Sequence, residues 1–199
     1  MTLVPDTKDW TWVLEKACPE CGFDTRRVTR QALPEMLRQN AIAWDRVLAD
    51  KEDVAHLRPS PDQWSALEYA CHVRDVFRKF DERLQLMVSE DNPTFANWDQ
   101  DATAVADRYN DQSPREVAGQ IASAADTLAL GFSQLDQRQW GRRGSRSDGA
   151  KFTIETLGRY LMHDPSHHLY DVGAAGYEAG ITTSFKAQPS RAASEAKRP

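Results

Sequence analysis

Residues 65–87 read SALEYACHVRDVFRKFDERLQLM, a pattern that only a long helix packed along one side satisfies. Ser65 and Glu68 stand three apart ahead of an apolar run, the capping-box pattern that satisfies free amides at a helix start. Tyr69, Val73, Val76, Phe80, Leu84 and Met87 then recur at spacings of three and four, which predicts a long helix with one apolar stripe. His72 sits on that stripe, between Tyr69 and Val76.

Three other segments carry the same period. Leu33, Leu37, Ala41, Trp44 and Leu48 mark a helix between about residues 29 and 50, with Pro34 tolerable only in its first turn. A cap at Ser113, a proline at 114 and an acid at Glu116 open a third helix that buries Val117, Ile121, Leu128 and Leu135. The fourth starts after Thr153 with Ile154, Leu157 and Leu161 and ends near Gly173 and Gly176. No segment alternates as a strand does. Four helices of similar length predict an all-α four-helix bundle over residues 29–180. The long acidic and aromatic stretch between Ser89 and Gln112 reads as a crossover lining one end of that bundle. Residues 1–28, with Trp10, Trp12 and Phe23, read as an extension that wraps it, and 181–199 as a disordered tail.

The chain has 199 residues, 40% hydrophobic and 28% charged, enough to bury a core. A net charge of −5 argues against a nucleic-acid partner. The absence of a long apolar run or a signal-like N-terminus predicts a cytoplasmic protein without membrane contact. Three cysteines do not form a disulfide framework.

Asp164 and His168, in MHDPSHHLYDV, are one helical turn apart. At about 100° per residue both fall within about 60° of the Leu161 direction and so face the core. His163 and His167 share the spacing but point more than about 100° away. Pro165 lacks the amide that would bond the Leu161 carbonyl, so a kink is expected beside these residues, and His163 with His167 stay open as the alternative pair. A histidine on an apolar face is ordinarily a hydrogen-bonded core residue, and an aspartate ordinarily pairs with an arginine. Burying His72, Asp164 and His168 together without a partner would cost several kcal/mol. A divalent cation would satisfy all three.

The run WSALEYACHV, with a later helix bearing Asp164, His168, Asp171 and Gly173, resembles the DinB/YfiT-like superfamily of metalloenzymes. The ligand pattern is most similar to its thiol-dependent branch, of the mycothiol-dependent maleylpyruvate isomerase type. That resemblance implies an up-down-down-up bundle and a divalent metal, zinc or nickel, on His72, Asp164 and His168. It also implies a low-molecular-weight thiol of the mycothiol, bacillithiol or glutathione type as cofactor and a small electrophile as partner. The reaction implied is thiol S-transfer or thiol-dependent isomerisation; the alternative is a non-catalytic metal- or ligand-binding bundle. A homodimer is compatible with either.

Asp75 and Asp171, each three residues from a candidate ligand, are candidates to orient an imidazole. Arg142, Arg143 and Arg146, in the loop before the fourth helix, would receive carboxylates of substrate or thiol, although a solvated loop is the commoner state of such a run. Cys18 and Cys21 have the spacing of half a zinc ribbon. No second CxxC or HxxxH completes it without taking ligands from the bundle site, so a tight turn capped by Gly22 with packed, reduced thiols is expected.

Overall fold

The computed structural model describes residues 9–174. It runs α1 (Leu33–Asp50), α2 (Ala66–Ser89), β1 (Thr94–Phe95), α3 (Gln100–Ala106), α4 (Pro114–Ser133), β2 (Arg143–Arg146), β3 (Lys151–Thr153) and α5 (Ile154–Asp171). The expected tail over 181–199 and Gly176 lie outside the described residues.

Local signals set the ends of these helices. The Ser65 hydroxyl accepts from the Glu68 amide at 3.1 Å and the Glu68 carboxylate from the Ser65 amide at 2.8 Å, a closed capping box. Ser113 caps α4, with Pro114 in its first turn. Thr153 caps α5 through a reciprocal pair with Thr156. At the other end of α5, Gly173 at φ +63° donates to the Tyr170 carbonyl while Ala174 donates to that of Leu169. This Schellman pair needs the left-handed conformation that glycine adopts without a Cβ penalty.

Contacts between helices fix their directions. Arg30, just ahead of α1, pairs with Glu155 at the start of α5, while Lys51 at the end of α1 donates to the Val172 carbonyl at the end of α5. These two helices are therefore parallel. Between α2 and α5 the order is reversed: Tyr69 meets His168, His72 meets Asp164 and Phe80 meets Tyr160. Between α2 and α4 it runs forward again, Arg74 to Gln120 and Leu84 against Gly131. The bundle is thus up-down-down-up, with α4 packed chiefly against α1 and α2. Trp44, Phe77, Phe132 and Leu161 are among the fully buried side chains that fill it.

The link from α2 to α4 is no simple loop. It holds β1, α3 and a 3-10 turn at Tyr109–Asp111. Strand β1 lies parallel to β2, and β2 antiparallel to β3. The expectation of no strand is corrected here: these strands have only two to four residues, too few to display a period of two. Helix α5 continues without interruption through Pro165, and the Pro165 carbonyl receives the Trp44 indole N–H at 3.4 Å. The N-terminal segment adds 3-10 turns at Trp10–Leu14 and Thr25–Arg27 and packs on α5.

Candidate metal centre

His72 is fully buried on α2, its ring held by aromatic faces. Trp98, from the crossover, lies parallel to it at 5.3 Å between centroids and 3° between planes. Trp64 covers another side at 5.4 Å. The Nδ1 atom has no hydrogen-bond partner among the described residues, so stacking orients this imidazole. Nε2 faces the two oxygens of Asp164 at 3.2 and 3.4 Å.

One turn along α5, His168 presents Nε2 to Asp164 Oδ1 at 3.8 Å. Its Nδ1 lies 2.8 Å from Asp171 Oδ2. A carboxylate only accepts, so Nδ1 carries a proton in this contact, and in the neutral ring the lone pair lies on Nε2. The donor atoms of His72, Asp164 and His168 all lie within 4.8 Å of one another. Burial alone would raise the Asp164 carboxyl, but the charge and hydrogen bond of His72 and the charge of His168 outweigh it and hold it well below the usual carboxylate range.

Does a cation fit this set? Charge-assisted N–H···O bonds run at ~2.7–2.9 Å, shorter than either His72 contact. Metal bonds of ~2.0–2.1 Å at a tetrahedral angle hold N and O donors ~3.3 Å apart. Two imidazoles and a carboxylate are also the donor types zinc and similar ions take. The residues present fit a divalent ion.

Asp164 and His168 open onto a cavity of about 650 Å³, with His72 behind them. Trp98, Arg83, Arg146 and Tyr160 line its other walls. Arg146 reaches Asp148 at 2.8 Å and the Tyr160 hydroxyl at 3.2 Å. Arg83 is 5% exposed, its Nε unpaired among the described residues. Burial lowers its guanidinium to about 10.

The sequence-based candidates divide accordingly. His72, Asp164 and His168 converge, and Asp171 lies against His168. His163 and His167 are not brought to His72; they lie buried beneath the N-terminal segment, against Trp10 at 5.4 and 5.5 Å. Asp75 turns to other partners: Arg74 at 2.8 and 2.7 Å, the Tyr109 hydroxyl at 2.6 Å and Arg78 at 3.1 Å. It ties the crossover to α2 rather than orienting His72. Arg142 caps the end of α2 through the Met87 and Glu90 carbonyls. Arg143 is exposed on β2. Of the three arginines, Arg146 alone borders the cavity.

Arg83 and Trp98 escaped the sequence reading. Arg83 stands eleven residues after His72, about three turns on and so on the same helix face, and a cation within an apolar stripe was a usable signal. Trp98 had none, because its docking depends on the path of the crossover.

A helical bundle with a His-Asp-His donor set at the edge of a cavity is the class these features define. The profile of the DinB superfamily matches residues 24–172, and the chain belongs to that superfamily. Its fold is similar to YfiT from Bacillus subtilis, described as a probable metal-dependent hydrolase with an unusual four-helix bundle topology. That likeness has a TM-score of 0.63 at 16% identity, covering 84% of this chain and 90% of YfiT. No curated protein matches the chain. Among the described residues no helix is long and apolar enough to cross a membrane.

Proposed function

We propose that the protein is a metal-dependent enzyme that transfers, or uses in an isomerisation, a low-molecular-weight thiol. His72, Asp164 and His168 would hold a divalent ion, zinc or nickel. When bound, such an ion supplies Lewis acidity, lowering the pKa of a thiol or water that reaches it. The observation that carries this reading is the opening of Asp164 and His168 onto the cavity while Asp171 fixes the His168 tautomer.

Each residue then has a task. The stack of Trp98 on His72 excludes water from behind the donors and holds the ring in place. Asp171 keeps the proton on His168 Nδ1 and raises the basicity of Nε2. Arg83 and Arg146 offer cationic donors to carboxylates of the thiol or its electrophile. The volume of about 650 Å³ is in the range of small-molecule sites. In this reading residues 9–28 are an extension packed on the bundle.

Hydrolysis is the second reading, favoured by the description of YfiT. Water would then take the place of the thiol at the same donors. Both readings are tested with metal-loaded wild-type protein and His72→Ala, following the loss of small thiols with a panel of electrophiles and the cleavage of a panel of esters and amides. Thiol consumption that exceeds the uncatalysed rate only in the wild type supports transfer. Ester or amide cleavage with no thiol consumption supports hydrolysis. Neither reaction above background leaves a non-catalytic binding bundle.

A further inference from the structure

The pair of histidines that faces away from His72 meets the pair of cysteines that sequence spacing left incomplete. Cys18 Sγ lies 3.7 Å from Nδ1 of His167, and Cys21 Sγ lies 3.8 Å from Nε2 of His163. The four donor atoms all fall within 4.8 Å of one another. Zinc bonds of ~2.3 Å to sulfur and ~2.1 Å to nitrogen, at a tetrahedral angle, separate S and N by ~3.6 Å. The geometry points to a Cys2His2 structural zinc site, separate from the His72 centre, that pins the N-terminal segment to α5.

The backbone around the cysteines is built as a metal-binding turn. Gly22 donates to the Cys18 carbonyl at 2.9 Å and Cys18 to the Phe23 carbonyl at 2.9 Å, closing CPECG into a tight loop. Gly22 sits at φ +74°, where a side chain would be strained. Both sulfurs thereby face the same side of α5.

The imidazoles are supported on their far sides. His167 Nε2, the nitrogen turned away from Cys18, faces carboxylate oxygens of Glu20 and Asp171, each at 3.6 Å. Such outer carboxylates orient metal-bound imidazoles. Trp10 and Trp12 cover the His163 ring at 5.4 and 6.4 Å; Cys18, His163 and His167 are buried and Cys21 is half-buried.

Without a cation, the two thiols meet the imidazoles at S···N separations of 3.7 and 3.8 Å, at the long end of hydrogen bonds to sulfur. Binding balances simply: two thiol protons leave to solvent, two S–Zn and two N–Zn bonds form, and no electrons are transferred. Two thiolates neutralise the ion. A single HxxxH on α5 does not have to serve both sites, because His163 and His167 lie about 100° around the helix from Asp164 and His168. Each pair has its own partners.

The test is X-ray absorption at the zinc edge on the full chain carrying His72→Ala, with cobalt-substituted protein in parallel. The His72 change empties the first centre, so remaining metal reports the second. We expect bound zinc with sulfur scatterers at ~2.3 Å, a thiolate-to-cobalt charge-transfer band, and loss of that band in Cys18→Ser/Cys21→Ser. Zinc with only nitrogen and oxygen scatterers, or a band that survives the double serine change, would overturn the proposal. So would a wild-type protein whose cysteines react with a thiol reagent equally fast with and without saturating zinc. A His72→Ala variant with the metal content of the wild type and with sulfur scatterers would sink the first centre and leave this one standing.

Discussion

Asp171 accepts from His168 at 2.8 Å through Oδ2 while its Oδ1 faces His167 at 3.6 Å, so one carboxylate supports an imidazole of each cluster. Removing the charge by Asp171→Asn should weaken metal binding roughly 10- to 100-fold without unfolding the bundle. Zinc titration against a chelating indicator measures this. An unchanged affinity would show that neither imidazole depends on Asp171.

Helix phase predicts which histidine serves which centre. In a Cys18→Ser/Cys21→Ser background, His168→Ala should abolish the remaining zinc binding, whereas His163→Ala should leave it within about threefold of its parent. Titration calorimetry separates these outcomes. Loss of binding in the His163 variant with retention in the His168 variant would assign the wrong face of α5.

Asp75 gives a pH signature. Burial favours raising its carboxyl, but hydrogen bonds from Arg74 and Tyr109 and the charges of Arg74 and Arg78 outweigh this and hold it below its ordinary value. A depressed folded-state pKa stabilises the protein above the unfolded value, near ~3.9, and that contribution is lost as pH falls through the folded value. Asp75→Asn should therefore cost about 1–3 kcal/mol at neutral pH, with the difference from wild type shrinking below about pH 4. Urea unfolding at a series of pH values reads it. A pH-independent difference would mean that packing, not charge, ties Tyr109 to α2.

The bundle was legible because its signals are local. Ser65 with Glu68, Ser113 with Pro114, and Thr153 each begin a helix where the sequence places one, and the stripes of α1 and α2 are buried as their periods require. Helix phase likewise put Asp164 and His168 toward His72 despite Pro165. What could not be read were meetings set by the path of the chain. Cys18 and His167 are 149 residues apart, and no spacing rule joins them; the two histidine pairs therefore looked like rivals for one metal. Trp98 reaches His72 only because the crossover returns over the end of α2. The arginine cluster looked like a substrate clamp, yet the β2–β3 hairpin sends Arg142 to helix carbonyls and leaves Arg146 at the cavity.

Arg83 offers a test of the cavity itself. Its buried guanidinium has an unpaired Nε beside the cavity, so Arg83→Gln should weaken binding of a small dicarboxylate such as succinate about tenfold or more. A neutral diamide analogue should bind both proteins alike. Calorimetry on metal-loaded protein provides the comparison, and equal succinate affinity would remove Arg83 from ligand recognition.

The central claim, that His72, Asp164 and His168 together hold a divalent ion, is tested most directly by elemental analysis of purified wild-type protein and His72→Ala. The variant should contain about one equivalent less metal per chain than the wild type, with the helical circular-dichroism spectrum retained. Equal metal content in the two proteins would contradict it.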